Sequence, residues 1–309
     1  MIIQTGIRTD IPAFYAKWLA KRINAGYVLV RNPYNPQQVT RYRLQPDVVD
    51  LLTFCTKNPQ PMLPCMDILK PYRMYWFVTI TPYGKEIEPN VPDKQAVLQS
   101  FRELSKLVGP DAIGWRYDPI LLNEDYTVQT HLQAFQRMAE YLDGYTKTCV
   151  ISFVDRYEKV KRNFPEVSVV GHDDRFYLRQ NMIEIAARHG MTVKPCGEET
   201  ELEPFGADCS GCMSKETYEQ VLGSSLDFPK KTPLRNECSC FLGSDIGAYN
   251  SCPHLCQYCY ANYDKQTVLQ NFRQHDPESP FLIGGSLPGD KIHQAEQESW
   301  INGQMRLQI

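Results

Sequence analysis

The strongest constraint on the fold is an alternation running through the first two thirds of the chain. Short apolar runs at residues 2–5, 27–30, 51–55, 74–80, 112–115, 148–154 and 191–195 are separated by amphipathic segments, the clearest at 12–24, 93–108, 129–142 and 174–189. In those segments the apolar positions recur at helical spacing, as Ile11, Phe14, Tyr15, Trp18 and Leu19 do in the first and Val97, Leu98, Phe101, Leu104 and Val108 in the second. Gly26, Gly144 and Gly190 mark helix ends, and Gly109-Pro110 stops another. Runs that are apolar along their whole length read as strands covered on both faces, the condition of a mainly parallel sheet. The pattern predicts the α/β class. Seven strands favour a (β/α) barrel of the TIM type, full or partial, over a doubly wound open sheet.

A length of 309 residues suits one large or two medium domains. A net charge of −3 gives no positive field to attract nucleic acid, and a nucleic-acid partner is not supported. No apolar stretch reaches the length of a membrane span, and no basic segment followed by an apolar run marks a signal peptide. These features predict a cytoplasmic protein with no membrane partner. Thiols stay reduced there, so the 11 cysteines read as ligands, catalytic groups or core residues rather than disulfides. Cys55, Cys65 and Cys149 sit in apolar surroundings and read as core. The other eight fall between Cys196 and Cys259.

Charged residues stand just beyond the predicted strands: Asp10 after the first, Lys57 after the third, Arg116 and Asp118 at the fifth, Glu198 after the seventh. In a parallel barrel such ends converge on one mouth, where active sites sit. Polar residues must follow buried strands in any case, but both charge signs at so many ends favour a polar pocket. Lys57 and Arg116 suit a carboxylate or phosphate, and Asp10, Asp118 and Glu198 suit ribose hydroxyls or an amine. Lys57, Arg116, Asp118 and Glu198 are the candidate catalytic residues.

The cysteines divide into two sets. Cys252, Cys256 and Cys259 form a C-x3-C-x2-C loop, with Tyr258 directly before the last cysteine and His254 inside the loop. Three thiolates on one loop hold three corners of a cubane iron–sulfur cluster and leave the fourth iron open. A structural zinc site wants four closed ligands. Cys196, Cys209, Cys212, Cys238 and Cys240 are candidate ligands for a second site, an auxiliary iron–sulfur cluster or zinc. His254 reads as a surface or supporting residue rather than a ligand.

The Cys252-x3-Cys256-x-Tyr258-Cys259 loop resembles the cluster loop of the radical S-adenosylmethionine superfamily, and Tyr258-Cys259-Tyr260-Ala261 is similar to its DNA-repair-photolyase-like members. The chain as a whole resembles an uncharacterised prokaryotic branch with a C-terminal cysteine cluster. That likeness is carried by Arg8-Thr9-Asp10-Ile11-Pro12, Thr56-Lys57-Asn58-Pro59, Trp115-Arg116-Tyr117-Asp118-Pro119 and Ser244-Asp245-Ile246-Gly247. The resemblance implies a 4Fe–4S cluster on the three cysteines and S-adenosylmethionine on the open iron, with Tyr258 near the adenine. It implies reductive cleavage to a 5′-deoxyadenosyl radical that attacks a substrate, with a flavodoxin or ferredoxin as electron donor. The rival expectation is a non-catalytic iron–sulfur or zinc protein, a redox sensor or assembly partner.

One departure shapes the fold expectation. The superfamily places its cluster loop after the first barrel strand, whereas here it lies about four-fifths along the chain. Two explanations are open: a cluster loop that caps a barrel completed without it, or, favoured by the strand-like segment before the loop and the helix after it, a circular permutation in which residues 241–249 supply the first strand, 263–272 the first helix, and the N-terminus the second strand. The cofactor contact usual at the second strand then falls on residues 5–10, with Thr9 and Asp10 as candidates. Residues 1–200 form the barrel portion, and the cysteine-rich residues 201–309 carry the cluster loop and complete the barrel. In the tail, Trp300 and Ile301 are candidate docking anchors.

Overall fold

The structure, a computed structural model, describes residues 1–196, 200–228, 240–241 and 243–305. Glu198 and Cys238 lie outside the described residues. In chain order, β1 (Ile2–Gln4) leads into α1 (Ile11–Phe14) and α2 (Ala16–Ala25), then β2 (Tyr27–Arg31), β3 (Gln38–Arg43) and β4 (Leu51–Thr56). A 3-10 turn (Gln60–Cys65) and α3 (Met66–Leu69) precede β5 (Met74–Thr79), α4 (Lys94–Val108), β6 (Ile113–Ile120), α5 (Val128–Leu142) and β7 (Thr148–Phe153). Next come α6 (Glu158–Asn163), α7 (His172–Arg188), β8 (Thr192–Pro195), a 3-10 segment (Thr200–Phe205), α8 (Lys215–Leu222) and β9 (Ser224–Leu226). The chain closes with β10 (Ser244–Asp245), α9 (Lys265–Arg273), β11 (Lys291–Gln294) and β12 (Ile301–Met305).

The main sheet has seven strands in the order β10-β1-β4-β5-β6-β7-β8. Every neighbouring pair is parallel. This is the α/β architecture expected from the alternation. The two-residue β10, taken from just before the cysteine loop, pairs with β1 (Ile3 with Ser244, Gln4 with Asp245). The helices start where their caps predict. Asp93 accepts from the Gln95 amide and Thr127 from the Thr130 amide, each satisfying an orphan N–H of the first turn.

Strand register divides the side chains between two faces. One face carries Ile3, Leu52, Phe54, Trp76, Trp115 and Cys149, and the helices pack on it. Phe54 stacks on Trp76 at 3.8 Å between ring centres, and Phe135 of α5 stacks on Trp115 at 4.7 Å. The other face carries Gln4, Cys55, Phe77, Arg116 and Val150, with Gln4 and Asp245, Cys55 and Phe77, and Arg116 and Val150 paired across strands. Met213 and α8 lie against that inner face, Met213 Sδ accepting from Gln4 Nε2 at 3.4 Å.

Four expectations are corrected. Residues 27–30 were expected in the main sheet, but β2 folds back on β3 as an antiparallel hairpin, and β11 adds to its free edge in a separate sheet. The predicted first helix is broken at Tyr15, whose φ of −128° interrupts the helical path between α1 and α2. Of the strand expected over 241–249, the described residues keep the two of β10. Trp300 is a buried anchor, its N–H donating to Asp50 Oδ2 at 2.8 Å, whereas Ile301 is 39% exposed. No helix among the described residues is long and apolar enough to cross a membrane.

Candidate functional site

The cysteine loop leaves the carboxyl end of β10, so it opens at the same sheet edge as the residues that follow β1, β4, β5 and β6. Asp10 is the first fastening. Its Oδ1 caps α1 by accepting from the Ala13 N–H at 3.0 Å. Its Oδ2 accepts from the Lys57 backbone N–H at 2.7 Å and from His254 Nε2 at 3.0 Å. One carboxylate thus ties together α1, the end of β4 and the cysteine loop. Of the two roles expected for His254, surface or supporting, its burial rules out the first, and its ring lies edge-on to Phe14 at 4.5 Å.

The segment after β5 clamps the loop from the other side. Asn90 donates to the Pro253 carbonyl at 2.7 Å, and the Gln257 N–H donates to Ile87 O at 3.0 Å. Within the loop, Leu255 adopts φ 57°, a left-handed conformation that costs a bulky side chain about 1–2 kcal/mol. On the β1 side, a Cβ on Gly6 would come within 2.2 Å of the Cys55 carbonyl, so only glycine lets the chain pass this close to β4.

At the centre is Glu88, a buried carboxylate. It accepts from Lys57 Nζ at 2.8 Å and Thr81 Oγ1 at 2.7 Å, and also from Lys94 Nζ and the Tyr258 hydroxyl. Burial works against its ionisation, but Lys57 and Lys94 outweigh burial and hold its pKa at about 2. Burial would lower the Lys57 pKa, yet Glu88 and the Cys256 sulfur raise it above the ordinary lysine value. Lys57 lies 5.5 Å from the centre of the Tyr258 ring. Tyr258 is therefore held by its hydroxyl beneath the loop. Glu88 was not singled out from the sequence, because it belongs to no motif and lies in a loop between β5 and α4.

Arg116 and Asp118 lie within β6, which runs on to Ile120 rather than ending at residue 115, and form an ion pair there, with Arg116 Nε donating to Asp118 Oδ2 at 3.1 Å and the Ser152 hydroxyl donating to the other oxygen. Burial opposes the charge on Asp118, but Arg116 and Ser152 keep its pKa below the ordinary carboxylate range. Thr9 is buried with Oγ1 lacking a hydrogen-bond partner, and so is Asn262 Oδ1 beside the loop. Asn262 Nδ2 donates to the Cys252 carbonyl at 2.9 Å.

Burial pushes the thiols of all three loop cysteines up, Cys256 to about 12, and Cys252 is raised further by the other two sulfurs. Backbone N–H groups are aimed at two of the sulfurs: His254 at Cys252, and Ala261 and Asn262 at Cys259, the Ala261 N lying 3.4 Å from Sγ. Lys57 also faces Cys256 and Cys259. Buried thiolates need such donors and positive charge, and amide-to-sulfur bonds are what iron–sulfur ligands receive. In donor type and number, Cys252, Cys256 and Cys259 fit a thiolate-held cluster. Among the described residues no group of three or more His, Cys, Asp or Glu side chains already encloses a metal-sized centre.

Of the second cysteine set, the structure brings three together on the inner face. Cys212 Sγ lies 3.6 Å from Cys196 Sγ and 3.4 Å from Cys240 Sγ. Cys209 is half-buried against the core, where Glu203 and Asp208 add to the effect of burial in raising its pKa. Cys149 is fully buried, while Cys55 and Cys65 are half-buried against the core.

Fold and site together define an α/β chain with a singly ordered parallel sheet and a three-cysteine loop at its strand ends. It belongs to the family described as "Domain of unknown function (DUF1848)", whose model matches residues 2–261, from β1 to just past Cys259. No curated protein matches the chain. Among solved structures, one match is described as a "putative alpha-L-fucosidase" from Bacteroides thetaiotaomicron. It is 10% identical with a TM-score of 0.30, covers 58% of this chain and 86% of its own, and is too distant to bear on fold or activity.

Proposed function

We propose that the protein is a radical S-adenosylmethionine enzyme whose (β/α) sheet is a circularly permuted, partial barrel. The observation that carries this reading is the cysteine loop itself. It follows the strand paired with β1, precedes α9, opens at the carboxyl strand ends, and has backbone amides aimed at the sulfurs of Cys252 and Cys259. The strand order supports the barrel. When strands follow one another in sequence order and each crossover is right-handed, the helices collect on one face and the sheet curls around the other. Counted from β10, every strand of the main sheet lies next to its predecessor.

Cys252, Cys256 and Cys259 would hold a 4Fe–4S cluster, which, once reduced by an external donor, would supply the electron for reductive cleavage of S-adenosylmethionine and so start radical chemistry on the substrate. Lys57, kept cationic by Glu88, offsets thiolate charge beneath the loop. Asp10 and His254 fix the loop to β4 and α1. Thr9 and Asn262 offer buried polar atoms to a polar cofactor. Arg116 and Asp118, one strand beyond β5, are placed to bind charged substrate groups. A flavodoxin- or ferredoxin-type donor would approach over Tyr260 and Tyr263, which are 45% and 48% exposed.

The test is anaerobic reconstitution with iron and sulfide, then addition of dithionite and S-adenosylmethionine. The wild type should form 5′-deoxyadenosine, and Cys256→Ala should form none above background. Equal yields from the two would reject the assignment. Bound metal without turnover would leave the non-catalytic metal protein as the better reading.

A further inference from the structure

Cys196, Cys212 and Cys240 come from three separate parts of the chain: the end of β8, the turn before α8, and the approach to β10. Their sulfurs nevertheless touch. Cys212 Sγ is 3.6 Å from Cys196 Sγ, across 16 residues, and 3.4 Å from Cys240 Sγ, across 28. The Met213 N–H points at Cys240 Sγ at 3.4 Å, and Arg116 Nη1 lies 3.8 Å from Cys212 Sγ. The cluster is thus supplied with an amide donor and a guanidinium, the groups that stabilise thiolates.

We infer that Cys196, Cys212 and Cys240 bind one soft divalent cation of the zinc type on the inner face of the sheet, at a site separate from the 252–259 loop, with a water molecule as the fourth ligand. The sulfur spacing decides between the metals. A tetrahedral zinc–thiolate centre has bonds of about 2.3 Å, which fixes sulfur–sulfur edges at roughly 3.8 Å. In a cubane each thiolate binds its own iron, and the sulfurs must spread well beyond contact. Distances of 3.4 and 3.6 Å match the single ion. The described donors do not yet enclose a cation. The two contacts at Cys212 would form two edges of the coordination shell, and binding would require the half-buried Cys196 and Cys240 to turn their sulfurs towards a common centre. Such an ion would fasten the segment around α8 to the inner face and seat Arg116 from below. The inference does not depend on the chemistry of the 252–259 loop.

The experiment uses the full chain carrying Cys252→Ala, Cys256→Ala and Cys259→Ala together, purified with zinc and analysed for metal. This variant should retain about one zinc ion per chain, and adding Cys212→Ser should abolish retention. Should the fourth substitution unfold the protein, cobalt(II) exchange into the triple variant still decides. Intense sulfur-to-cobalt charge-transfer bands with tetrahedral ligand-field bands are expected. Absence of bound metal, iron with acid-labile sulfide, or a disulfide at Cys212 would each overturn the inference. The deoxyadenosine assay reads the first loop alone, so the two readings fail separately.

Discussion

At the scale of single residues, Glu88 holds the site together. Its side chain is inaccessible to solvent and accepts from two ammonium groups, a threonine and a tyrosine. Glu88→Gln keeps the shape but strands Lys57 and Lys94 without their counter-charge. Breaking a buried pair from one side costs about 3–5 kcal/mol, and the partial exposure of both lysines places this change near the lower figure. Urea unfolding of the apo-protein should show a loss of about 3 kcal/mol; a loss below about 1 kcal/mol would mean that Glu88 is not the counter-charge described. The residue scale is also where sequence was least informative. Asp10, Lys57, Arg116 and Asp118 were visible because strand ends can be read from apolar runs. Glu88 was not, since its importance comes from partners far away along the chain, and for His254 the sequence left a surface and a supporting role open.

At the scale of elements, most strands and helices were legible, because each apolar run or helical stripe reports its own burial. What such a run does not report is its neighbour. The apolar residues of β2 look like those of β4, yet β2 pairs with β3 after a short turn and leaves the main sheet. β10 was poorly legible for the opposite reason: two residues carry no periodicity, and its place depends on β1. The join between β6 and α5 makes a pH-dependent prediction. His131 is fully buried, its Nε2–H donating to Leu121 O at 2.8 Å and its Nδ1 accepting from the Tyr117 hydroxyl at 2.8 Å. Burial lowers its pKa from 6.5 to about 4. Between those values the unfolded chain binds the proton and the folded chain does not, so stability falls as pH drops from 6.5 towards 4. The full effect is roughly 3 kcal/mol. Urea midpoints of wild type and His131→Gln across this window should diverge, the wild type sloping more steeply. Parallel slopes would rule out His131 as the cause.

At the scale of the whole molecule, the C-terminal segment forms a belt around the sheet. Trp18 Nε1 donates to Ser279 O at 2.9 Å, β11 extends the β2–β3 sheet, the Ser299 hydroxyl donates to Asp50 at 2.6 Å, and β12 pairs with β9. Trp300 sits among core residues within this belt. Trp300→Ala should therefore destabilise the whole protein by about 3 kcal/mol, and the unfolding transition should stay single. A separate early transition confined to the tail would show that the belt folds apart from the sheet.

The pairing of β1 with β10 has a consequence for synthesis. Arg8, just beyond β1, donates to Asp245 of β10, 237 residues away. While the chain emerges from the ribosome, the edge of β1 away from β4 has no partner until Ser244 and Asp245 have been made. An uncovered parallel edge invites pairing with other nascent chains. The cysteine loop emerges only after that edge can close. If the loop holds the proposed cluster, the metal would enter a sheet whose β1 edge can already close, and starving cells of iron should then leave the sheet intact while emptying the loop.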